Sequence, residues 1–244
     1  MKIRLISFDL HQTLITPRYP IHVQYARALE PYLGPLDHQA LKRSFAIALR
    51  QLQAEKPLYG NDKSSWWFEV VRRTALGAGA DSNVLEDSLS LIVPRLMASF
   101  GSKEGYKPFD DSFGILDALH SLNLRTAVVS NGDSRMLSVL KDLGFPSFLS
   151  PIVLSEIEGV EKPSPEIFQL AVQRVNAALE DPIVPSECVH VGDELECDYH
   201  GAKNAGMNAL LLERAGARDP SVTIEAEEVV SDMHKVLEWV RARI

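Results

Sequence analysis

Four short polar segments, each directly after a run of apolar residues, hold the side chains best suited to chemistry. The first contains Asp9, a carboxylate followed by a turn and a small hydroxyl residue. The second is Ser130-Asn131-Gly132, where a hydroxyl and backbone N–H groups suit an oxyanion. Taken alone, Asp9 is more often a helix or turn cap, and the second segment is most often a simple turn.

The third and fourth segments add a cation and a pair of acids. Lys162 precedes a predicted helix, where a solvated lysine is an equally common alternative. Asp193 follows Gly192 at the end of an apolar run, and Asp198 comes five residues later. Two acids at that spacing after a buried strand are what an all-oxygen Mg²⁺ site needs.

Five apolar runs alternate with helical patterns and predict the sheet that positions these segments. Strands that alternate with helices form a parallel sheet through right-handed crossovers. The predicted fold class is therefore α/β, with a doubly wound, Rossmann-like parallel sheet. Such sheets place their chemistry just past the carboxyl ends of the strands, where the four segments fall. The runs cover residues 3–8, 126–130, 152–154, 189–191 and 209–212.

A long insert between the first and second runs has no comparable strand pattern. It carries apolar residues at three- and four-residue spacing, which is typical of amphipathic helices. We expect a core of residues 1–16 and 110–244 and an all-helical cap of residues 17–109, joined near 16–20 and 104–110. The four predicted helices of the cap cover 22–33, 37–54, 64–76 and 83–100.

Two more helices belong to the core. Ser164 can cap the helix after the third run, and Pro165 suits its first turn. A second helix is predicted over 232–243, with a purely structural role. The helix that begins near Pro165 carries an inward-facing apolar stripe formed by Phe168, Ala171, Val172 and Val175.

Composition excludes several classes of partner. The net charge of −8 and the pI near 5.4 provide no basic field for nucleic acid or for an anionic membrane surface. Two cysteines, Cys188 and Cys197, cannot build a disulfide framework and lack the spacing of a zinc site. The sequence shows neither a signal peptide nor an apolar run of transmembrane length, so we expect a cytoplasmic protein, with access to the nucleus left open.

Together, in this order and at predicted strand ends, the four segments resemble the motifs of the haloacid dehalogenase-like hydrolase superfamily. The resemblance covers essentially the whole chain, because the helical insert stands where that family has its cap. It implies a two-step displacement in which the Asp9 carboxylate forms a covalent aspartyl intermediate that water then releases. In the phosphatase branch, the resemblance implies that Ser130, Asn131 and Lys162 bind the substrate's phosphoryl group.

The same resemblance implies a Mg²⁺ cofactor. The ion is expected between Asp9, the backbone carbonyl of His11 and Asp193, with Asp198 as a further ligand or as support for the others. Mg²⁺ and Lys162 then offset the repulsion between an anionic nucleophile and an anionic substrate. The expected substrate is a small phosphorylated metabolite, since a cap of this size serves as a lid over an enclosed site.

His11 departs from the phosphatases of this superfamily, which carry a second aspartate at that position as general acid and base. An imidazole can do the same work, or His11 can be inert while its carbonyl serves the metal. It can also mark a displacement at carbon, because the true dehalogenases lack the acid and need no metal. A Mg²⁺-dependent phosphatase is the favoured prediction. The alternatives are a catalytically impaired protein with a binding or regulatory role and, less favoured, a 2-haloacid dehalogenase.

Two neighbouring tryptophans and one histidine complete the candidates. Trp66-Trp67 and the replaced second aspartate make the chain similar to the eukaryotic group called haloacid dehalogenase-like hydrolase domain-containing protein 3. Adjacent helix residues point about 100° apart, so at least one of the two indoles is expected in the cap core. His190 lies inside an apolar run, which favours a hydrogen-bonded core histidine over a metal ligand.

Overall fold

The computed structural model describes residues 2–60, 62–214 and 224–244. Within these ranges the chain forms two compact units. The first unit combines Met1–Thr16 with Pro108–Ile244, and the second is Pro17–Lys107. No helix of the described ranges is both long enough and apolar enough to cross a membrane.

Eight strands and ten α-helices make up the described part of the chain. The strands are β1 (Leu5–Phe8), β2 (Ile15–Pro17), β3 (Tyr106–Pro108), β4 (Arg125–Ser130), β5 (Leu149–Leu154), β6 (Cys188–Gly192), β7 (Asn208–Leu212) and β8 (Val229–Val230). The helices are α1 (Ile21–Leu33), α2 (His38–Glu55), α3 (Lys63–Gly77), α4 (Ser82–Ser99), α5 (Ser112–Ser121), α6 (Arg135–Asp142), α7 (Ser155–Glu158), α8 (Pro165–Asn176), α9 (Gly201–Asn204) and α10 (Met233–Arg241). Short turns of other helix types cover Pro57–Tyr59, Pro185–Glu187, Leu195–His200 and Ala226–Glu228.

Six strands of the first unit form one parallel sheet in the order β5-β4-β1-β6-β7-β8, which confirms the predicted fold class. Every residue of β1 and of β6 is buried. A strand that is covered on both faces needs apolar residues at nearly every position, so these runs are continuous and do not alternate. The last strand, β8, was not predicted, because two residues are too few to make a pattern.

The two predicted helices of the core are present. α8 begins at Pro165, and the Ser164 hydroxyl accepts a hydrogen bond from the Glu166 N–H at 3.4 Å. All four residues of its predicted apolar stripe are buried in one core cluster, which also contains residues of the sheet such as Leu5 and Val129. α10 follows Asp232, whose carboxylate accepts a hydrogen bond from the Lys235 N–H at 3.0 Å.

Helices α1 to α4 form the second unit, as the spacing of its apolar residues predicted. Three of them begin after an aspartate whose side chain accepts hydrogen bonds from N–H groups of the first turn, and these aspartates are Asp37, Asp62 and Asp81. Leu52 of α2 packs against Trp66 and Val70 of α3 in an apolar cluster. Trp66 is therefore the cap-core indole of the tryptophan pair.

The connections between the two units contain short strands that the sequence did not predict. β2 pairs with β3 in a separate two-stranded sheet, and each strand is three residues long. The sequence also placed residues 108 and 109 in the cap, whereas the structure assigns both to the first unit. The reason is local: the Phe109 N–H donates to the Leu14 carbonyl of the core at 3.1 Å.

Candidate functional site

Asp9 is the first residue after β1. Its backbone N–H donates to the Val191 carbonyl of the neighbouring strand β6 at 2.9 Å, which fixes the point where the carboxylate leaves the sheet. The chain then turns sharply: the Leu10 carbonyl accepts from the Leu14 N–H at 2.9 Å, and Gln12 has a φ of 56°. A positive φ at a residue other than glycine is uncommon and concentrates at functional sites.

Asp193 and Asp198 follow β6. Asp198 lies in a six-residue π-helical turn, Leu195–His200, a rare conformation that recurs at functional sites. One of its carboxylate oxygens, Oδ2, accepts a hydrogen bond from the Glu194 N–H at 2.9 Å. Gly192 makes room for this carboxylate, because a Cβ atom there would lie 2.1 Å from the Asp198 Cγ.

Lys162, for which the sequence left a solvated position open, is buried between two of these acids. Its Nζ donates to Asp9 Oδ1 at 2.7 Å and to Asp198 Oδ1 at 2.6 Å. The Asn131 side chain holds the lysine backbone: its Nδ2 donates to the Lys162 carbonyl at 2.9 Å, and its Oδ1 accepts from the Lys162 N–H at 2.7 Å. Asn131 thus has a positioning contact that sequence analysis missed, while its role in substrate binding stays a prediction.

Burial and charge act in opposite directions on the pKa values of this cluster. Burial lowers the pKa of Lys162, but the carboxylates of Asp9 and Asp198 outweigh burial and raise it overall. Burial raises the pKa of Asp198, but the ammonium of Lys162 and the hydrogen bond from His190 hold it well below its usual range. At neutral pH the cluster therefore contains a lysine ammonium and an ionised Asp198.

Three acids of the site converge closely enough to hold a metal ion. Asp9, Asp193 and Asp198 each offer a carboxylate oxygen, and these oxygens lie within 4.8 Å of one another. Burial and the negative charges of Asp9, Asp198 and Glu194 raise the pKa of Asp193 to about 7. The Lys162 ammonium offsets part of this charge, and an all-oxygen site with negative charge in excess fits Mg²⁺. Both oxygens of Asp198 already accept hydrogen bonds, so Asp9 and Asp193 are the better ligands.

Two buried hydroxyl groups have no hydrogen-bond partner among the described residues. They are Ser130 Oγ, at the end of β4, and Thr13 Oγ1, in the turn after β1. β4 lies beside β1 with Val128 opposite Phe8, so Ser130 and Asp9 leave the same edge of the sheet. An unpaired buried hydroxyl costs about 1–3 kcal/mol and calls for a polar ligand, which agrees with the predicted contact between Ser130 and a phosphoryl oxygen.

His11 stands two residues after Asp9 and is half-buried. Burial lowers the pKa of the imidazole, the Asp9 carboxylate opposes that effect, and the Lys162 ammonium adds to it. The pKa lies below its ordinary value overall, so the ring is neutral at neutral pH. A neutral imidazole can accept a proton, although the lowered pKa makes it a weaker base, and it is a much weaker proton donor than a carboxylic acid.

Beside the cluster, sequence analysis missed one contact of His190 and the residue Asp133. His190 on β6 is buried, as expected, but its Nε2 lies 3.1 Å from Asp198 Oδ1 and so contacts the site. Asp133 is also buried and accepts from Arg135 Nε at 2.9 Å. The charges of Asp133 and Arg135 act on His11: Asp133 raises the pKa of its imidazole, and Arg135 lowers it. The sequence signal for Asp133 was its place directly after the second polar segment.

Comparisons with known proteins agree on one family. The family model described as haloacid dehalogenase-like hydrolase matches residues 3–206. The human haloacid dehalogenase-like hydrolase domain-containing protein 3 is 29% identical over 243 residues, which cover 97% of this chain and 93% of the human protein. This likeness confirms the predicted resemblance to that group.

Solved structures of two proteins have the same fold. The 2-haloacid dehalogenase from Pseudomonas syringae pv. tomato DC3000 has a TM-score of 0.69 at 23% identity, with 98% of this chain and 99% of that chain covered. The HAD-hydrolase YfnB from Bacillus subtilis, in a structure bound to magnesium, has a TM-score of 0.72 at 16% identity, with coverages of 99% and 100%. At these identities the likeness concerns the fold alone. The match to the family model goes further, and the chain belongs to the haloacid dehalogenase-like hydrolase family.

Proposed function

We propose that the protein is a Mg²⁺-dependent phosphohydrolase that acts on a small phosphorylated metabolite, with Asp9 as its nucleophile. The observation that carries the proposal is the convergence of Asp9, Asp193 and Asp198 within 4.8 Å, with Lys162 bound to two of them. An anionic nucleophile attacks an anionic phosphate only where cations offset the repulsion. Lys162 provides one positive charge, and Mg²⁺ held by Asp9 and Asp193 would supply two more.

In the first step, a carboxylate oxygen of Asp9 attacks phosphorus. A bond forms between Asp9 and phosphorus, and the bond from phosphorus to the ester oxygen breaks, which leaves an aspartyl phosphate. The Lys162 ammonium contacts Asp9 at 2.7 Å and so lies beside the non-bridging phosphoryl oxygens. The Ser130 hydroxyl, which lacks a partner among the described residues, donates to one of these oxygens.

In the second step, water attacks the phosphorus of the aspartyl phosphate. The bond between Asp9 and phosphorus breaks, phosphate leaves, and the Asp9 carboxylate is restored. The imidazole of His11 suits the acceptance of a proton from this water. The first step lacks the carboxylic acid that other phosphatases of the family place at this position, so the leaving group receives less help. Phosphates with weakly basic leaving groups, such as acyl and aryl phosphates, are therefore the best substrates.

A displacement at carbon is the second candidate function. His11 favours it, because this chemistry needs no acid at that position, and a 2-haloacid dehalogenase shares the fold. The three converging carboxylates favour the phosphohydrolase, because a displacement at carbon needs no metal and gains nothing from negative charge beside its nucleophile. A chelator separates the two, since only the phosphohydrolase depends on Mg²⁺.

The test is phosphate release from a series of aryl phosphates whose phenols differ in pKa. For the wild-type protein with Mg²⁺ we expect a steep fall in rate as the pKa of the phenol rises. For the His11→Asp variant we expect the rate to depend only weakly on the pKa of the phenol. On the poorest leaving groups its rate should exceed that of the wild type by about 10²–10⁴-fold.

Three results would change the proposal. Turnover of a 2-haloacid that survives a chelator favours the displacement at carbon. A silent wild type with an active His11→Asp variant identifies a phosphatase site impaired at one position. Silence from both proteins indicates a binding or regulatory role.

A further inference from the structure

A chain of buried hydrogen bonds runs from the interior of the sheet to the site. Ser7 Oγ lies 2.9 Å from His190 Nδ1, and His190 Nε2 lies 3.1 Å from Asp198 Oδ1. The same oxygen of Asp198 accepts from Lys162 Nζ at 2.6 Å. Ser7 and His190 are fully buried on the neighbouring strands β1 and β6, where they stand opposite each other. The reaction steps described above use neither residue.

For a neutral His190 ring, the donors and acceptors of this chain have one consistent arrangement. An ionised Asp198 can only accept, so the proton of the imidazole must be on Nε2. In a neutral ring the other nitrogen, Nδ1, is then an acceptor, and the Ser7 hydroxyl donates to it. Asp198 therefore selects the imidazole tautomer with its proton on Nε2, and the Ser7 hydroxyl supports that tautomer by donating to Nδ1.

Both oxygens of Asp198 are fixed from the protein side. Oδ2 accepts from the Glu194 N–H at 2.9 Å, and Oδ1 accepts from His190 and from Lys162. Without His190, the one contact of Oδ1 left among the described residues is the Lys162 ammonium. The Asp198 carboxylate could then rotate, and the Lys162 ammonium, which bridges it to Asp9, would lose a fixed hydrogen-bond acceptor.

We infer that His190 is a positioning residue, which orients Asp198 through its Nε2–H and thereby holds the Lys162 ammonium against the Asp9 carboxylate. The inference deepens the proposed function and rests on it. Its physical basis is that groups around a charged ligand set control the geometry of that set, and that removing such a group typically lowers activity about 10- to 100-fold. An apolar residue at position 190 would pack against the sheet at lower cost, as Val189 and Val191 do.

Three variants separate positioning from packing. His190→Phe keeps a ring of similar size and removes both hydrogen bonds, whereas His190→Gln keeps an amide donor for Asp198. Phe168→Leu is the matched control, because this ring packs edge-on against His190 with centroids 5.0 Å apart and belongs to the apolar core.

In phosphate-release assays with Mg²⁺ we expect His190→Phe to lower kcat about 10- to 100-fold with little change in KM. We expect His190→Gln to recover to within about fivefold of wild type, and Phe168→Leu to lower the melting temperature but leave kcat within about twofold. Equal losses of kcat in His190→Phe and Phe168→Leu would overturn the inference.

A second readout does not depend on turnover. Nitrogen-15 NMR of the wild-type protein should show the His190 ring protonated at Nε2, and a Lys162 ammonium protected from exchange with solvent. We expect His190→Phe to speed this exchange and His190→Gln to restore its protection. If His190→Phe does not fold, Ser7→Ala takes its place. It removes the hydroxyl that holds the ring at Nδ1, so we expect faster exchange of the Lys162 ammonium from a ring that stays protonated at Nε2.

These spectra also separate the inference from the proposed function. A wild-type ring protonated at Nδ1, or Lys162 exchange that is unchanged in the His190 or Ser7 variants, would overturn the inference whatever the activity. The expected spectra from a wild-type protein that releases no phosphate would contradict the proposed function and leave the positioning contact standing.

Discussion

The two units of the chain bury polar side chains very unequally. Among the residues that the structure describes, thirteen polar or charged side chains are buried, and eleven of them lie in the first unit. The other two, Gln24 and Thr74, are uncharged side chains of the helical unit. The buried acidic and basic side chains of the described residues, Asp9, Asp133, Lys162, His190 and Asp198, are all in the first unit.

This difference distinguishes the unit that contains the candidate site from the unit whose buried side chains serve packing. Burying a charge is expensive unless it is paired, and a buried ion pair rarely stabilises a fold more than apolar packing does. The second unit avoids that cost, since it is held together by an apolar cluster around Trp66 and by helix caps. The first unit bears that cost at one edge of its sheet, where the converging acids and Lys162 lie.

The largest effect is expected for Lys162→Met. This change leaves Asp9 and Asp198 as buried carboxylates without the Lys162 ammonium. We therefore expect the free energy of unfolding to fall by about 3–5 kcal/mol and phosphate release to be lost. Urea unfolding in the presence of a chelator measures the stability. Added Mg²⁺ should restore part of the loss, because the ion binds only the folded site.

Lys141→Met is the matched control for that prediction. Lys141 is exposed in the last turn of α6, where its replacement should change stability by less than about 0.5 kcal/mol. Equal losses in the two variants would remove the contrast between the site and the rest of the unit.

Trp66→Ala tests the second unit. The indole is 2% exposed, donates from Nε1 to the Lys56 carbonyl at 3.0 Å and packs against Tyr59. Its loss should cost about 3 kcal/mol through the cavity that it leaves, as measured by urea unfolding. Trp67→Ala, at the half-buried neighbour, should lower the free energy of unfolding by less. Mg²⁺ affinity, measured by calorimetry, should stay unchanged in both, and a large drop would show that the second unit shapes the metal site.

Gly192→Ala tests how tightly the acids are arranged. The new Cβ would lie 2.1 Å from the Asp198 Cγ, so the carboxylate must move. We expect a loss of about 1–3 kcal/mol from overpacking and a fall of phosphate release of at least about tenfold. The control is Gly114→Ala in α5, where nothing lies within 4 Å of the new atom. That change should add about 0.5–1 kcal/mol of stability, and a similar gain for Gly192→Ala would contradict the site geometry.

The smallest effect is expected at an ion pair of the first unit that contains no site residue. Arg214 donates to both Asp111 oxygens at 2.9 Å. Burial raises the pKa of Asp111, but the hydrogen bonds from Arg214 and from the Met233 N–H outweigh burial and lower it. A lowered pKa means that the stabilisation is complete above the unfolded pKa of about 3.9 and disappears as pH falls through the folded value.

Asp111→Asn should therefore cost about 1 kcal/mol at neutral pH, and its difference from wild type should shrink below about pH 4. Urea unfolding across this pH range measures the difference. The exposed neighbour Asp110, changed to asparagine, should show little effect at either pH. A cost for Asp111→Asn that persists at about pH 3 would exclude the ion pair as its source.

The sequence predicted most of the fold because the strongest local signals are physical requirements. Strands covered on both faces need continuous apolar runs, and amphipathic helices need apolar residues every three or four positions. The short elements escaped detection for the same reason: β2, β3 and β8 have too few residues to show either pattern. Nothing local marked the end of the second unit, which depends on the hydrogen bond from Phe109 to Leu14.

For the site, the sequence predicted which residues approach the sheet edge but not how they pair. Lys162 and Asp9 are 153 positions apart, and no local pattern says that their side chains meet at 2.7 Å. His190 was expected in the core, and it is there, but its contact with Asp198 depends on how the π-helical turn folds back over β6. The pairing of side chains is a property of the assembled sheet.

The most direct test of the central claim is phosphate release from acetyl phosphate by the wild-type protein and by Asp9→Asn, each with Mg²⁺ and with a chelator. We predict release by the wild type that stops when the chelator removes Mg²⁺ and falls by at least about 10⁴-fold in Asp9→Asn. Equal release from the two proteins, or release that the chelator does not affect, would contradict a metal-dependent reaction at Asp9.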